Sequence, residues 1–256
     1  MAQLEEVEGI VLYNRKHRER DFLVKIFTPR FGKLMFFVRG QKKQRGDLFQ
    51  SIQSFASGTY IADIRESGLS FLRGSKNIET YRYLQTDIFK NAYATYICSL
   101  ADAAIEDHVP HPSLFNLVQK GLNLMNEGYE PVVIANILET KFLEVFGVAP
   151  NFMSCGVCGK TEGVFDYSDK YHSILCSEHF SEDPRRLHLN PKAVHLVRLY
   201  SVIHLDKIGD ISIKAATQNE IQRLLDHLYD QSVGLRLKSK KFIDNLHSWE
   251  DTLKKD

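Results

Sequence analysis

Residues 22–38 read FLVKIFTPRFGKLMFFV, and this stretch decides the fold class. Two runs rich in Val, Ile and Phe, Phe22–Phe27 and Lys33–Val38, flank Thr28-Pro29-Arg30-Phe31-Gly32. Pro fixes one backbone angle, and Gly permits conformations closed to other residues, so the five-residue spacer predicts a tight turn between two strands. The same texture recurs on either side, at Val7–Leu12, Gly58–Asp63 and Gly68–Arg73. Five short strands within the first eighty residues predict a small closed barrel. The OB-fold is the five-stranded case, and an SH3-like barrel fits the same pattern.

From Thr86 onward the apolar period changes from two to between three and four. Ile88, Ala92, Thr95, Tyr96, Ser99 and Ala103 share one helical face, and the pattern ends before Pro110 and Pro112. A second helix is predicted from about Ser113 to Met125, with Leu114, Leu117, Val118 and Leu122 inward. A third begins at Pro131, whose missing N–H costs nothing in a first turn. It carries Ile134, Ile137, Leu138, Phe142 and Val145, with Gly147 as its stop. Later, Thr217-Gln218-Asn219-Glu220 has the form of a capping box ahead of Ile221, Leu224, Leu225 and Leu228. Such stripes are what helices bury to make a core. The class is therefore α+β, with a barrel domain over residues 1–80 and a helical domain over 81–256.

The chain has four cysteines in 256 residues and no stretch near the apolar length of a membrane span. Its first ten residues are acidic, with no apolar core of a secretion signal. Both features point to the cytoplasm, where thiols stay reduced and a disulfide framework is not expected. Cys155-Gly156-Val157-Cys158 is followed seventeen residues later by Cys176-Ser177-Glu178-His179. Ligands three positions apart can turn onto one ion, and two such pairs close a tetrahedron. The spacing predicts a structural zinc knuckle within residues 150–182, held by Cys155, Cys158, Cys176 and His179. Buried thiols without metal, or a redox pair, are the alternatives. A further alternative puts His172 or water in the fourth position, which would open the site to catalysis. Cys98 lies on an apolar helix face and reads as a core residue.

The net charge of +1 conceals segregation. Residues 1–80 hold fourteen basic and nine acidic side chains, residues 98–183 four against thirteen, and residues 184–256 thirteen against nine. A positive face attracts phosphates while a negative region avoids them. Within residues 15–45, Arg15, Lys16, Arg18, Arg39, Lys42, Lys43 and Arg45 are the DNA-binding candidates, interleaved with Phe22, Phe27, Phe31, Phe36 and Phe37. Cations can track a backbone while rings stack on bases. The sharpest candidate is the loop from Arg39 to Gly46, although a merely solvated loop would look the same. Catalytic signatures are absent: there is no HExxH, GxSxG or GxGxxG, and Gly159-Lys160-Thr161 lacks the earlier glycine of a phosphate loop. No residue is nominated for catalysis, and a non-enzymatic role is expected.

Three stretches together resemble the RecO family of bacterial recombination mediators. The first is Glu8-Gly9-Ile10-Val11-Leu12 with Asp21, Phe27-Thr28, Gly32, Arg39-Gly40 and Lys42-Lys43. The second runs from Leu143-Glu144-Val145-Phe146-Gly147-Val148-Ala149-Pro150-Asn151 into Cys155-Gly156-Val157-Cys158-Gly159-Lys160. The third is Leu237-Lys238-Ser239-Lys240-Lys241-Phe242. The resemblance implies an N-terminal OB-fold and a helical C-terminal domain holding a zinc knuckle. It also implies binding of single- and double-stranded DNA, annealing of complementary strands, and no catalysis. The implied partners are RecR and the C-terminal tail of single-stranded DNA-binding protein (SSB), with which such proteins help load recombinase onto coated strands. Family members that keep the metal usually have Cys where this chain has His179. A zinc-dependent nucleic-acid hydrolase and an RNA-binding OB-fold protein are the rival functions.

Overall fold

The computed structural model describes residues 3–40, 47–209 and 211–253. The chain divides into two compact units, residues 1–131 with 237–256, and residues 132–236.

In the first unit, β1 (Gln3–His17), β2 (Asp21–Thr28) and β3 (Gly32–Val38) form an antiparallel meander. A short helix, α1 (Asp47–Ser51), leads to β4 (Ser57–Ile64) and β5 (Ser70–Glu79). The strands close in the order β1-β2-β3-β5-β4, with β3 and β5 parallel and β4 returning to β1. This is the predicted five-stranded, OB-like barrel. All five predicted strands are present, and each is longer than its apolar run.

Closure depends on β1. Its residues 3–10 pair with β4 and its residues 10–17 pair with β2, with the register shifting between Val11 and Tyr13. A bulge at that point bends one long strand around the barrel. Val24, Ile26, Leu34, Phe36 and Tyr60 fill the interior. Tyr60 donates to the carbonyls of Ser51 and Ala56 at 2.9 and 3.1 Å, so the largest interior ring has its polar end satisfied. The β2–β3 turn closes as the sequence predicts. Phe31 N–H donates to Thr28 Oγ1 at 3.0 Å, and Gly32 takes φ +69°.

Three helices follow in this unit: α2 (Arg82–Thr86), α3 (Ile88–Ala104) and α4 (Pro112–Glu127). Asp87 caps α3 by accepting from Phe89 and Lys90 N–H at 2.9 and 3.0 Å. The helices cover part of the outer barrel, which explains why β2 is buried along six consecutive residues instead of alternating. Lys25 and Lys33 are caught beneath this cover and meet carboxylates. Lys25 donates to Asp107 at 2.5 Å, and Lys33 lies 3.1 Å from Asp102.

The second unit begins with α5 (Pro131–Val145) and a three-stranded sheet, β6 (Asn151–Cys155), β7 (Phe165–Ser168) and β8 (Ser173–Cys176), in the order β6-β8-β7. Two further helices, α6 (Pro191–Val202) and α7 (Ala215–Leu228), complete its core with Val194, Val197, Tyr200, Ile221, Leu224 and Leu225. Gly147 ends α5 region as expected, at φ +73°. The capping box does not form. Thr217 lies inside α7, whose first residue is Ala215, and Glu220 instead binds Arg223 and the Asn190 N–H. The last helix, α8 (Lys238–Leu253), returns to the first unit and packs on α3, where Tyr93 OH and His247 Nε2 are 2.8 Å apart.

Candidate nucleic-acid interface and metal centre

The cations predicted to meet DNA cluster because of strand register. Arg15 lies opposite Leu23, Lys16 opposite Phe22, and Phe22 in turn opposite Val38. The exposed side chains of Arg15, Lys16, Arg18 and Arg20 therefore share one end of the meander with Arg39, the residue after Val38. The junction is tight. Gly40 N–H donates to Asp21 Oδ1 at 3.1 Å, and a Cβ on Gly40 would overlap the Arg20 carbonyl. Lys42, Lys43 and Arg45 lie outside the described residues. Lys240, in the later basic cluster, is paired with Asp244 at 2.7 Å.

Sequence reading did not link Arg65 and Arg73 to this region. Arg65 lies 4.7 Å above the Phe71 ring, and Arg73 lies 5.9 Å from the same ring while pairing with Asp63. Both sit near the β4–β5 turn, about fifty residues downstream of the first cations, so only strand pairing brings them close.

In the second unit Cys155, Cys158, Cys176 and His179 converge, with all four ligand atoms within 4.8 Å of one another. Cys158 and Cys176 sulfurs are 3.8 Å apart, and His179 Nδ1 is 3.2 Å from Cys176 Sγ and 3.9 Å from Cys155 Sγ. A tetrahedron with bonds of about 2.3 Å to sulfur and 2.0–2.1 Å to nitrogen has edges of about 3.8 and 3.6 Å. The donor set thus fits a four-coordinate metal. His172 is elsewhere: its ring nitrogens face Tyr167 OH at 3.3 Å and the Val148 carbonyl at 3.2 Å.

Local structure explains the convergence. Cys155 ends β6 and Cys176 ends β8, and Gly159 turns the first knuckle at φ +74° while its N–H donates to the Cys155 carbonyl at 2.9 Å. Gly156 lies against Ser173, where a Cβ would approach within 2.9 Å. A 3-10 turn over Ser177–Glu182 then brings His179 round. Burial opposes ionisation of Cys155, but the N–H groups of Cys158, Cys176 and Val157 outweigh it and hold the thiol at about 6. Burial pushes the Cys176 thiol up. Lys160 binds Glu178 at 2.8 Å across the two knuckles, so it is not poised for a phosphate. Arg198, which no motif announces, reaches from α6 to the carbonyls of Phe152, Met153 and Thr161 at 2.9, 3.1 and 2.7 Å.

Barrel and cluster together define an OB-like barrel protein whose second unit carries a knuckle of three cysteines and one histidine. The family model for the N-terminal part of recombination protein O matches residues 1–81, and that for its C-terminal part matches residues 85–241. DNA repair protein RecO of Enterococcus faecalis is 47% identical over 251 residues, covering 98% of this chain and 96% of the relative. The Levilactobacillus brevis protein of the same name is 41% identical over 249 residues, covering 97% and 96%. The chain belongs to the RecO family of DNA repair proteins. Among the described residues no helix is long and apolar enough to cross a membrane.

Proposed function

We propose that this chain is a cytoplasmic, non-enzymatic recombination mediator that binds single- and double-stranded DNA and anneals complementary strands. In this reading it acts with RecR and the SSB tail to load recombinase on coated DNA. The observation that carries the proposal is the gathering of Arg15, Lys16, Arg18 and Arg39 at one end of an OB-like barrel. Lys42, Lys43 and Arg45 extend that set in sequence. These cations hold phosphates without reading bases, and screening lets two strands approach on one surface.

The metal in this reading is zinc, held by Cys155, Cys158, Cys176 and His179. The closeness of His179 Nδ1 to two sulfurs favours four protein ligands over an open site with bound water. A filled tetrahedron supplies folding energy rather than an activated nucleophile. That weighs against the hydrolase alternative.

The test is fluorescence-detected annealing of complementary oligonucleotides across a salt series. We expect acceleration that falls steeply with salt and no strand cleavage. Charge reversal at Arg15, Arg18 and Arg39, or at Lys42 and Lys43, should flatten the log affinity–log salt slope by about one unit per lost phosphate contact. Unchanged annealing in both sets would remove this end of the barrel from the site.

A further inference from the structure

Phe36 and Phe37 are neighbours with opposite fates. Phe36 is fully buried in the barrel, whereas Phe37 is half-exposed on its outer wall. Beside Phe37, across the parallel β3–β5 pair, lies Phe71, also half-exposed. Their ring centroids are 5.9 Å apart at 64°, and the His17 ring stands 6.2 Å from Phe37 at 81°. The three rings come from β1, β3 and β5, and each is partly exposed. Tyr60, Phe36 and the aliphatic residues already fill the interior, so the barrel core does not include these rings.

Cations border the row on both sides. Arg15, Arg18, Arg20 and Arg39 lie near the His17 end, and Arg65 and Arg73 lie over Phe71. Arg73 is held by Asp63, while Arg65 has no ion-pair partner among the described residues. Rings flanked by guanidinium groups suit a polyanion with flat apolar groups along it. In a duplex the bases are paired and stacked about 3.4 Å apart. Each base face inside a duplex is covered by its neighbour, so a base can lie on one of these tilted rings only after leaving the stack.

We propose that His17, Phe37 and Phe71 form a stacking row for unpaired bases, which makes the outer barrel wall a single-strand site. Arginines at either end hold the phosphates, and Arg65 on Phe71 marks the ring face that a base would share or take over. The inference rests on the reading that the chain binds DNA, and it assigns the form of DNA to this wall.

The test is equilibrium binding of the full chain to a dT oligonucleotide of about 12 nucleotides, to a blunt duplex, and to an abasic backbone of the same length. Phe37→Ala and Phe71→Ala should each weaken dT binding on the order of tenfold, with duplex affinity changed less than about twofold. Phe71→Leu keeps the apolar bulk and loses the π-face, so it should behave like Phe71→Ala while unfolding at the wild-type temperature. Phe71→Trp should keep wild-type dT binding, and the wild type should bind the abasic backbone more weakly than Phe71→Ala binds dT. A folded Phe71→Leu variant with unchanged dT affinity, or with equal losses on dT and duplex, overturns the stacking row. Wild-type protein that binds no DNA form at low salt overturns the DNA-binding reading as well, and that outcome is distinct from the other two.

Discussion

Arg198 holds three carbonyls with one planar group, and it also lies 4.4 Å over the Phe165 ring. A lysine ammonium is a point donor and cannot reproduce this fork. Arg198→Lys should therefore destabilise the second unit nearly as much as Arg198→Ala, by about 1–3 kcal/mol. Urea unfolding followed on the second unit would check this, and recovery of most of the stability by lysine would refute it. Arg198 was not legible in the sequence, because backbone carbonyls as partners leave no pattern. The clustering of Cys155, Cys158, Cys176 and His179 was legible, since the spacing expected of a knuckle is set by how side chains three apart reach one point. Exposed cations occupy an intermediate position: Arg15 and Arg39 stood out as charges, but their neighbourhood follows from the Lys16–Phe22–Val38 register.

At the scale of elements, β2 and β3 are fixed to the end of α3 and the following loop by a cluster of charges. Lys25 and Lys33, both nearly inaccessible, face Asp102 and Asp107, and His108 N–H donates to the Lys33 carbonyl at 3.1 Å. Burial opposes ionisation of Asp107, but the two lysines outweigh it and hold the carboxyl below its usual value. A depressed folded-state pKa contributes stability above the unfolded value and loses it as pH falls through the folded one. The first unit should accordingly lose stability below about pH 4. Asp107→Asn should remove part of that dependence in thermal melts taken from pH 7 to 3. If the variant shows the wild-type slope, the cluster is not its source. Hydropathy predicted β2 and β3 from their apolar runs. It gave no sign that Lys25 and Lys33 would be buried, because the helices covering them lie about seventy residues downstream.

At the scale of the molecule, each unit has its own core, and the Cys155–Cys158–Cys176–His179 cluster, which could hold a metal, lies in the second. Structural metal binding contributes directly to folding free energy. Chelation at neutral pH should raise amide exchange in β6, β8 and α6, while amides of the barrel strands keep their protection. Equal loss of protection in both units would contradict this assignment. The barrel-first, helices-second order was legible from the change of period near Thr86. The return of residues 237–256 to the first unit was not, because one amphipathic helix does not identify which other helix it will cover.

That return has a consequence for the chain as it is made. α3 acquires its α8 partner only when the last sixteen-residue helix is available, more than one hundred residues after α4 is complete. At a synthesis rate of about 5–20 residues per second, the interval is on the order of 5–20 s. During that time the barrel can close, but the α3 surface destined for α8 stays uncovered on the nascent chain. The second unit, wholly contiguous in sequence, can fold before the first unit is finished. The first unit is thus begun before the second and finished after it.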